Sequence, residues 1–213
     1  MQKAVIFDMD GVIIDSENLW EKAEKEVFTA LGVNVTYELS ELTKSMTTIE
    51  ATKFWFDKFP WQEKSIDIVE QMVISRVVEL IDKEDCKIKG VKEFIERLKA
   101  KNYKIGLATN SPNKIIPKVL QKLDIQHLFD TVSSAEFEEN GKPSPSIYLT
   151  TAVKLNVTAN NCIAIEDSYS GMLAAKSAGM TVIAFTNGKK KKNFGIEDYI
   201  IDNFEDFNTD IFN

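Results

Sequence analysis

The chain has 213 residues, 44% hydrophobic and 28% charged, an ordinary globular composition with enough length for a sizeable core and an insertion. A formal charge of −7 argues against general nucleic-acid or anionic-membrane binding and requires local cations to draw in any anionic ligand. Two scattered cysteines, Cys86 and Cys162, frame neither a disulfide scaffold nor a zinc site; with no signal-like region after Met1 and no run of membrane-spanning length, a cytoplasmic protein is expected.

The continuous apolar run Ala4, Val5, Ile6, Phe7 predicts a buried strand of a parallel sheet. Asp8 and Asp10 follow it, and because side chains alternate along an extended chain they project to the same side at the strand's carboxyl end. Gly11 then allows a sharp turn. Open parallel sheets bind ligands at this rim. Two like charges so close are relieved by a divalent cation or by a retained proton. One aspartate can attack phosphorus while a neighbouring carboxyl moves a proton. The same DxDG can also be a plain surface turn.

Apolar positions at helical spacing predict an amphipathic helix over 16–31 ending at Gly32. A second helix is predicted from Thr48, as its N-cap, to Phe59 before Pro60, and a third over 66–83. One crossover needs a single helix, so this excess reads as a helical bundle inserted after the first strand. After Gly90 helices alternate with strands: helix 91–101, strand 104–108, helix 113–123, strand 131–133, a helix over 145–155 capped by Ser144, strand 162–165, helix 171–178, and strands 181–184 and 199–201. The predicted fold is α/β: a Rossmann-like, doubly wound parallel sheet (1–15 and 88–213) with an inserted α-helical cap domain (16–87) over its carboxyl edge.

Three more strand ends carry chemistry. The second predicted strand ends in Thr109, Asn110 and Ser111, where a hydroxyl and free backbone N–H groups suit phosphate oxygens, although the same residues also start helices. Lys142, in a Gly-Lys-Pro-Ser-Pro turn, offers a point charge or is simply solvated. Glu166 and Asp167 close another buried strand and either complete an oxygen-ligand Mg²⁺ site with Asp8 and Asp10 or cap the next helix. Together these residues point to phosphoryl transfer.

The motifs DMDGV (8–12), LATNS (107–111), GKPSP (141–145) and IEDSYSGMLAAKSAGM (165–180) resemble those of the haloacid dehalogenase superfamily, in its order and spacing, over essentially the whole chain. The resemblance implies Asp8 as nucleophile forming an aspartyl-phosphate and Asp10 as general acid and base. Thr109, with Asn110 beside it, would bind phosphate and Lys142 would neutralise it. Asp167, with Glu166 nearby, would hold Mg²⁺ with Asp8 and the backbone carbonyl of Asp10. It also implies a mobile cap hinged near 15–17 and 85–89. The stretches DSENLWEKAE (15–24) and FPW (59–61) are similar to hexose- and hexitol-phosphate phosphatases, including those acting on 2-deoxyglucose 6-phosphate. The β-phosphoglucomutases share the core motifs but place a proton-shuttling histidine where this chain has Trp20. The only histidine, His127, is expected to be structural.

The expected activity is a Mg²⁺-dependent phosphatase for a small sugar or polyol phosphate. The alternatives are a phosphosugar mutase, a phosphoglycolate-type phosphatase and a catalytically silent binding protein on the same fold. The expected partner is a small phosphorylated metabolite, and the expected state is a monomer. Substrate choice should lie in the cap. There Lys44, Ser45, Thr47 and Thr48 offer polar groups in a segment that is otherwise a helix boundary, with Ser45 where the family usually has glycine. Trp20 is either a substrate platform or cap core. The lysine run 189–192 reads as a solvated loop.

Overall fold

The fold was analysed from a computed structural model, which describes residues 2–188 and 194–205. The lysine run 189–192 lies outside the described residues. Six strands form one parallel sheet: β1 (Ala4–Phe7), β2 (Lys104–Thr109), β3 (Thr131–Ser134), β4 (Cys162–Glu166), β5 (Thr181–Phe185) and β6 (Tyr199–Ile201). Their spatial order is β3-β2-β1-β4-β5-β6, so the winding reverses direction at β1. A crevice opens beyond the carboxyl ends of strands at such a reversal. The register is even, with Phe7 level with both Leu107 and Ile165. The three strands therefore end within two residues of one another in height, β1 at Phe7, β4 at Glu166 and β2 at Thr109.

Both faces of the sheet are covered, which is why its strands read as unbroken apolar runs. Val5, Phe7, Ile105, Leu107 and Ile165 face one core together with Phe94, Ile95 and Leu98 of α5 (Val91–Ala100) and Val119 and Leu120 of α6 (Ile116–Lys122). Ala4, Ile6, Ala108 and Ala164 face the other, against α7 (Ser146–Leu155) and α8 (Tyr169–Ser177).

Between β1 and α5 lie four helices: α1 (Glu17–Ala30), α2 (Tyr37–Thr43), α3 (Thr48–Lys58) and α4 (Ile66–Lys83). Leu19, Ala23 and Phe28 of α1 pack with Trp55 of α3 and Val73 and Val77 of α4. Through Met9, Val12, Ile13 and Ile14 this packing is continuous with the first core. At the far junction Lys122 donates to the carbonyls of Ile81 (2.5 Å) and Glu84 (2.8 Å), satisfying the carboxyl end of α4 from the sheet side.

Several boundaries differ from the sequence pattern. Helix α2 has no predicted counterpart: at seven residues with only Thr43 buried it presents no periodic stripe. The cap of α3 is Thr47 rather than Thr48, because Thr47 and Glu50 form a reciprocal capping box. Helix α6 begins at Ile116, not 113, since Pro117 sits in its first turn and a tight turn precedes it. Pro145 takes the N-cap position of α7, one residue later than predicted, and α8 starts at Tyr169 because the Ser168 side chain accepts from the Gly171 N–H.

Candidate active site

The three central strand ends and the loop carrying Lys142 meet in a cavity of about 480 Å³ beneath α1 and α2. Asp8, Asp10, Thr109, Asn110, Ser111, Lys142 and Asp167 all line it, so the site residues expected from distant motifs share one space. Glu166 lies behind this wall and is fully buried.

Lys142 is the hub. Its Nζ donates to Asp8 Oδ1 at 2.7 Å, to Glu166 Oε1 at 2.6 Å and to the Ala108 carbonyl at 2.8 Å, which uses all three ammonium protons in fixed directions. Tyr148 of α7 donates to the same Glu166 Oε1, and Ser168 donates to Oε2 at 3.3 Å. Burial opposes the lysine's charge, but the Asp8 and Glu166 carboxylates outweigh it and raise Lys142 above its ordinary range. Burial and then the Glu166 carboxylate push Asp8 well above the usual carboxylate range, with the lysine pulling against them. Burial and the same glutamate raise Tyr148, keeping it a protonated donor.

Carboxylate oxygens of Asp8, Glu166 and Asp167 lie within 4.8 Å of one another. Asp8 and Asp167 offer hard oxygen donors at the cavity wall and Glu166 adds negative charge behind them, a set that suits Mg²⁺, which would offset the carboxylate repulsion that adds to burial in raising Asp8. The turn after β1 is built to admit the third member. Gly11 has φ of +75°, and a Cβ there would fall 2.1 Å from Asp167 Oδ2. A Cβ on Gly171 would likewise strike the Glu166 carboxylate at 2.1 Å.

Asp10 is held from both sides. Ser16 Oγ (2.5 Å) and Trp20 Nε1 (2.8 Å) donate to Oδ1, while Ser111 Oγ (2.6 Å) and Thr109 Oγ1 (3.4 Å) reach Oδ2. Trp20 therefore packs its ring against the apolar core and directs its N–H at Asp10, so it is neither a simple substrate platform nor simple cap core. Replacing Trp20 with phenylalanine keeps the apolar body and removes one donor to a carboxylate. A hydrogen bond to a charged group is worth about 1.5–3 kcal/mol. Turnover number is expected to fall roughly tenfold or more, with the melting temperature little changed. Steady-state kinetics within twofold of the parent would show that Trp20 does not set the orientation of Asp10.

The remaining candidates on the inserted helices divide. Lys44, Ser45 and Thr48 line the cavity, but Lys44 is already paired with Glu17 at 3.0 Å and with Glu41. Thr47, a sequence candidate for the same role, is not among the residues lining this cavity: its hydroxyl bonds Glu50 Oε2 at 2.7 Å in the capping box. The Asn110 side chain is also engaged, donating to the Ser45 carbonyl at 3.1 Å and accepting from the Lys142 N–H at 2.9 Å, so it ties the α2–α3 loop to the lysine loop. His127 stands elsewhere, on the short turn Gln126–Leu128. Tyr148 and Ser16 carry no sequence signal. Tyr148 looks like one more apolar position of α7, and its partner Glu166 is 18 residues away.

A buried lysine bridging two carboxylates, a third carboxylate beside them and a separately clamped aspartate, all at the reversal of a parallel sheet, form a site that can hold a cation and an anionic group together. The family profile described as haloacid dehalogenase-like hydrolase matches residues 5–185, and the chain belongs to that family. It is 38% identical over 182 residues to hexitol phosphatase B of Escherichia coli (strain K12), covering 84% of this chain and 82% of that protein. It is 34% identical over 181 residues to a phosphorylated carbohydrates phosphatase of Thermotoga maritima, again covering 84% and 82%. The crystal structure of β-phosphoglucomutase from Clostridium difficile superimposes with a TM-score of 0.86 at 28% identity, covering 99% of this chain and 95% of that one. Among the described residues no helix is long and apolar enough to cross a membrane.

Proposed function

We propose that the protein is a Mg²⁺-dependent phosphatase that hydrolyses a small sugar or polyol phosphate in two steps through Asp8. The observation that carries this reading is the joint placement of Asp8, Lys142, Thr109 and Asp167 around one cavity, with Asp10 clamped on the side nearest α1. Thr109 and the N–H groups of the turn around Asn110 hold phosphoryl oxygens, and Lys142 offsets their charge while orienting Asp8. Asp8 Oδ attacks phosphorus. Asp10 delivers a proton to the departing alkoxide, and then takes one from the water that cleaves the aspartyl-phosphate. Asp8, Asp167 and the Asp10 backbone carbonyl would hold Mg²⁺, with Glu166, whose Oε1 is already engaged, adding negative charge behind them. Bound there, the ion supplies positive charge to the transferring phosphoryl group. Residues 16–87 serve as the cap that closes over the substrate.

Similarity to hexitol and carbohydrate phosphatases supports the sugar or polyol class. Similarity to β-phosphoglucomutases keeps a phosphosugar mutase as the second reading. Against it stands Trp20, a donor that does not titrate, facing Asp10 where a mutase of the resembled kind would need a proton shuttle. The deciding experiment incubates the protein with Mg²⁺ and a panel of hexose, hexitol and short-acid phosphates and measures released phosphate. Hydrolysis of hexose or hexitol phosphates, abolished by EDTA and restored by Mg²⁺, is expected. Conversion of glucose 1-phosphate to the 6-phosphate in the presence of a bisphosphate primer, without free phosphate, would establish the mutase instead. A dominant preference for phosphoglycolate would move the substrate class and leave the mechanism standing.

A further inference from the structure

The cavity extends beyond the catalytic groups along one face of α1. Glu17, Trp20, Glu21 and Glu24 line it, at positions i, i+3, i+4 and i+7 of the helix. Trp20 contacts Asp10, and Glu24 stands one turn further along the same face, so the two residues face successive parts of a molecule lying beneath the helix. Ser40 and Thr43 of α2 line the same cavity.

The lysines of α1 do not neutralise this stripe: Lys22 pairs with Glu84 at 2.8 Å, and neither Lys22 nor Lys25 lines the cavity. Lys44, which also lines the cavity, is held by Glu17 and Glu41. Glu24 is half-buried and has no hydrogen bond or ion pair among the described residues. Burial and then the Glu21 carboxylate raise its carboxyl to about 7. Near neutral pH such a carboxyl both accepts and donates, which matches a hydroxyl group. A second anion brought to the same place would meet Glu24 and Glu21, and like-charge juxtaposition in a cavity penalises it.

We propose that Glu24 is a specificity-determining residue that hydrogen-bonds the uncharged, hydroxyl-bearing tail of the substrate and rejects phosphate esters whose tail carries a second anion. This rests on the phosphatase reading above and adds to it the residue that reads the end of the substrate remote from phosphorus.

Glucitol 6-phosphate and 6-phosphogluconate, which differ only in a terminal CH₂OH against a carboxylate, test it directly. With Mg²⁺, the parent protein is expected to favour glucitol 6-phosphate in kcat/KM by at least about thirtyfold. Glu24→Lys is expected to narrow that ratio about tenfold or more, chiefly through KM. Should Glu24→Lys fail to fold, as judged by its melting transition, Glu24→Gln is expected to narrow the ratio about threefold while raising KM for glucitol 6-phosphate. Parent activity on the two esters within threefold, or a ratio unchanged in a folded Glu24 variant, overturns the assignment while leaving the phosphatase reading intact. Absence of hydrolysis of both esters and of every other phosphate ester tried overturns the phosphatase reading, and this inference with it.

Discussion

Replacing Asp8 with asparagine is expected to abolish turnover without unfolding the protein. The amide keeps the shape of the carboxyl but is no nucleophile toward phosphorus, so a loss of at least about 10⁴-fold in kcat is expected. That corresponds to roughly 5.4 kcal/mol of transition-state stabilisation. Stability should move the other way. Burial and the Glu166 carboxylate raise Asp8 above its unfolded range, so its ionised form opposes folding, and that penalty grows as pH rises through the raised value. The amide removes the penalty, and Lys142 keeps Glu166 and the Ala108 carbonyl as partners. Melting at pH 7 is therefore expected at or above the parent value. Phosphate release by the variant at a tenth of the parent rate or more would refute Asp8 as the attacking group.

Lys142→Met is expected to cost stability as well as activity. Methionine fills much of the lysine stem but offers no charge, leaving Asp8 and Glu166 facing each other without a cation; the lysine is only 6% exposed and Glu166 not at all. Removing one partner of a buried ionic cluster costs about 3–5 kcal/mol. For a chain of this length that is a fall in melting temperature on the order of 10 °C. The sign of the pH dependence follows from the same geometry. With the lysine gone, the one group that pulls Asp8 downward is lost and Asp8 binds its proton still more tightly folded than unfolded, so the variant should regain stability as pH falls from 7 towards 5. Mg²⁺ should recover part of the loss by occupying the vacated charge. Thermal melts at pH 7 and pH 5.5, with and without Mg²⁺, provide the check. A melting temperature within about 2 °C of the parent at pH 7 would show that the lysine does not hold this cluster together.

Much of the sheet-rim side of the candidate site was legible in the sequence because its residues lie at strand ends, where local pattern and topology coincide. An apolar run followed by DxDG marks β1 and its rim, and a run ending in Glu166 and Asp167 marks β4. The inserted helices were less legible. Helix α2 is too short to show a period, and the capping box shifted the start of α3 by one residue and engages the Thr47 hydroxyl with Glu50. Trp20 shows why type alone is insufficient. Its apolar spacing on α1 marks a core position, whereas its indole N–H is aimed at Asp10 by a helix direction set through packing of α1 on α3 and α4.

What the chain by itself determined was the order of elements, the parallel winding and the identity of the groups at the rim. These depend on periodicity, turn chemistry and short-range spacing, all of which act within about a dozen residues. Only the tertiary structure decided which groups share partners. That Lys142 bridges Asp8 and Glu166 across 134 and 24 residues, that Tyr148 stands behind Glu166, and that Glu24 lines the same cavity as Asp10 are consequences of how the sheet reverses and where the helices pack. Such contacts carry no local signature, because the energy that fixes them is burial shared by the whole core rather than any preference of the residues themselves.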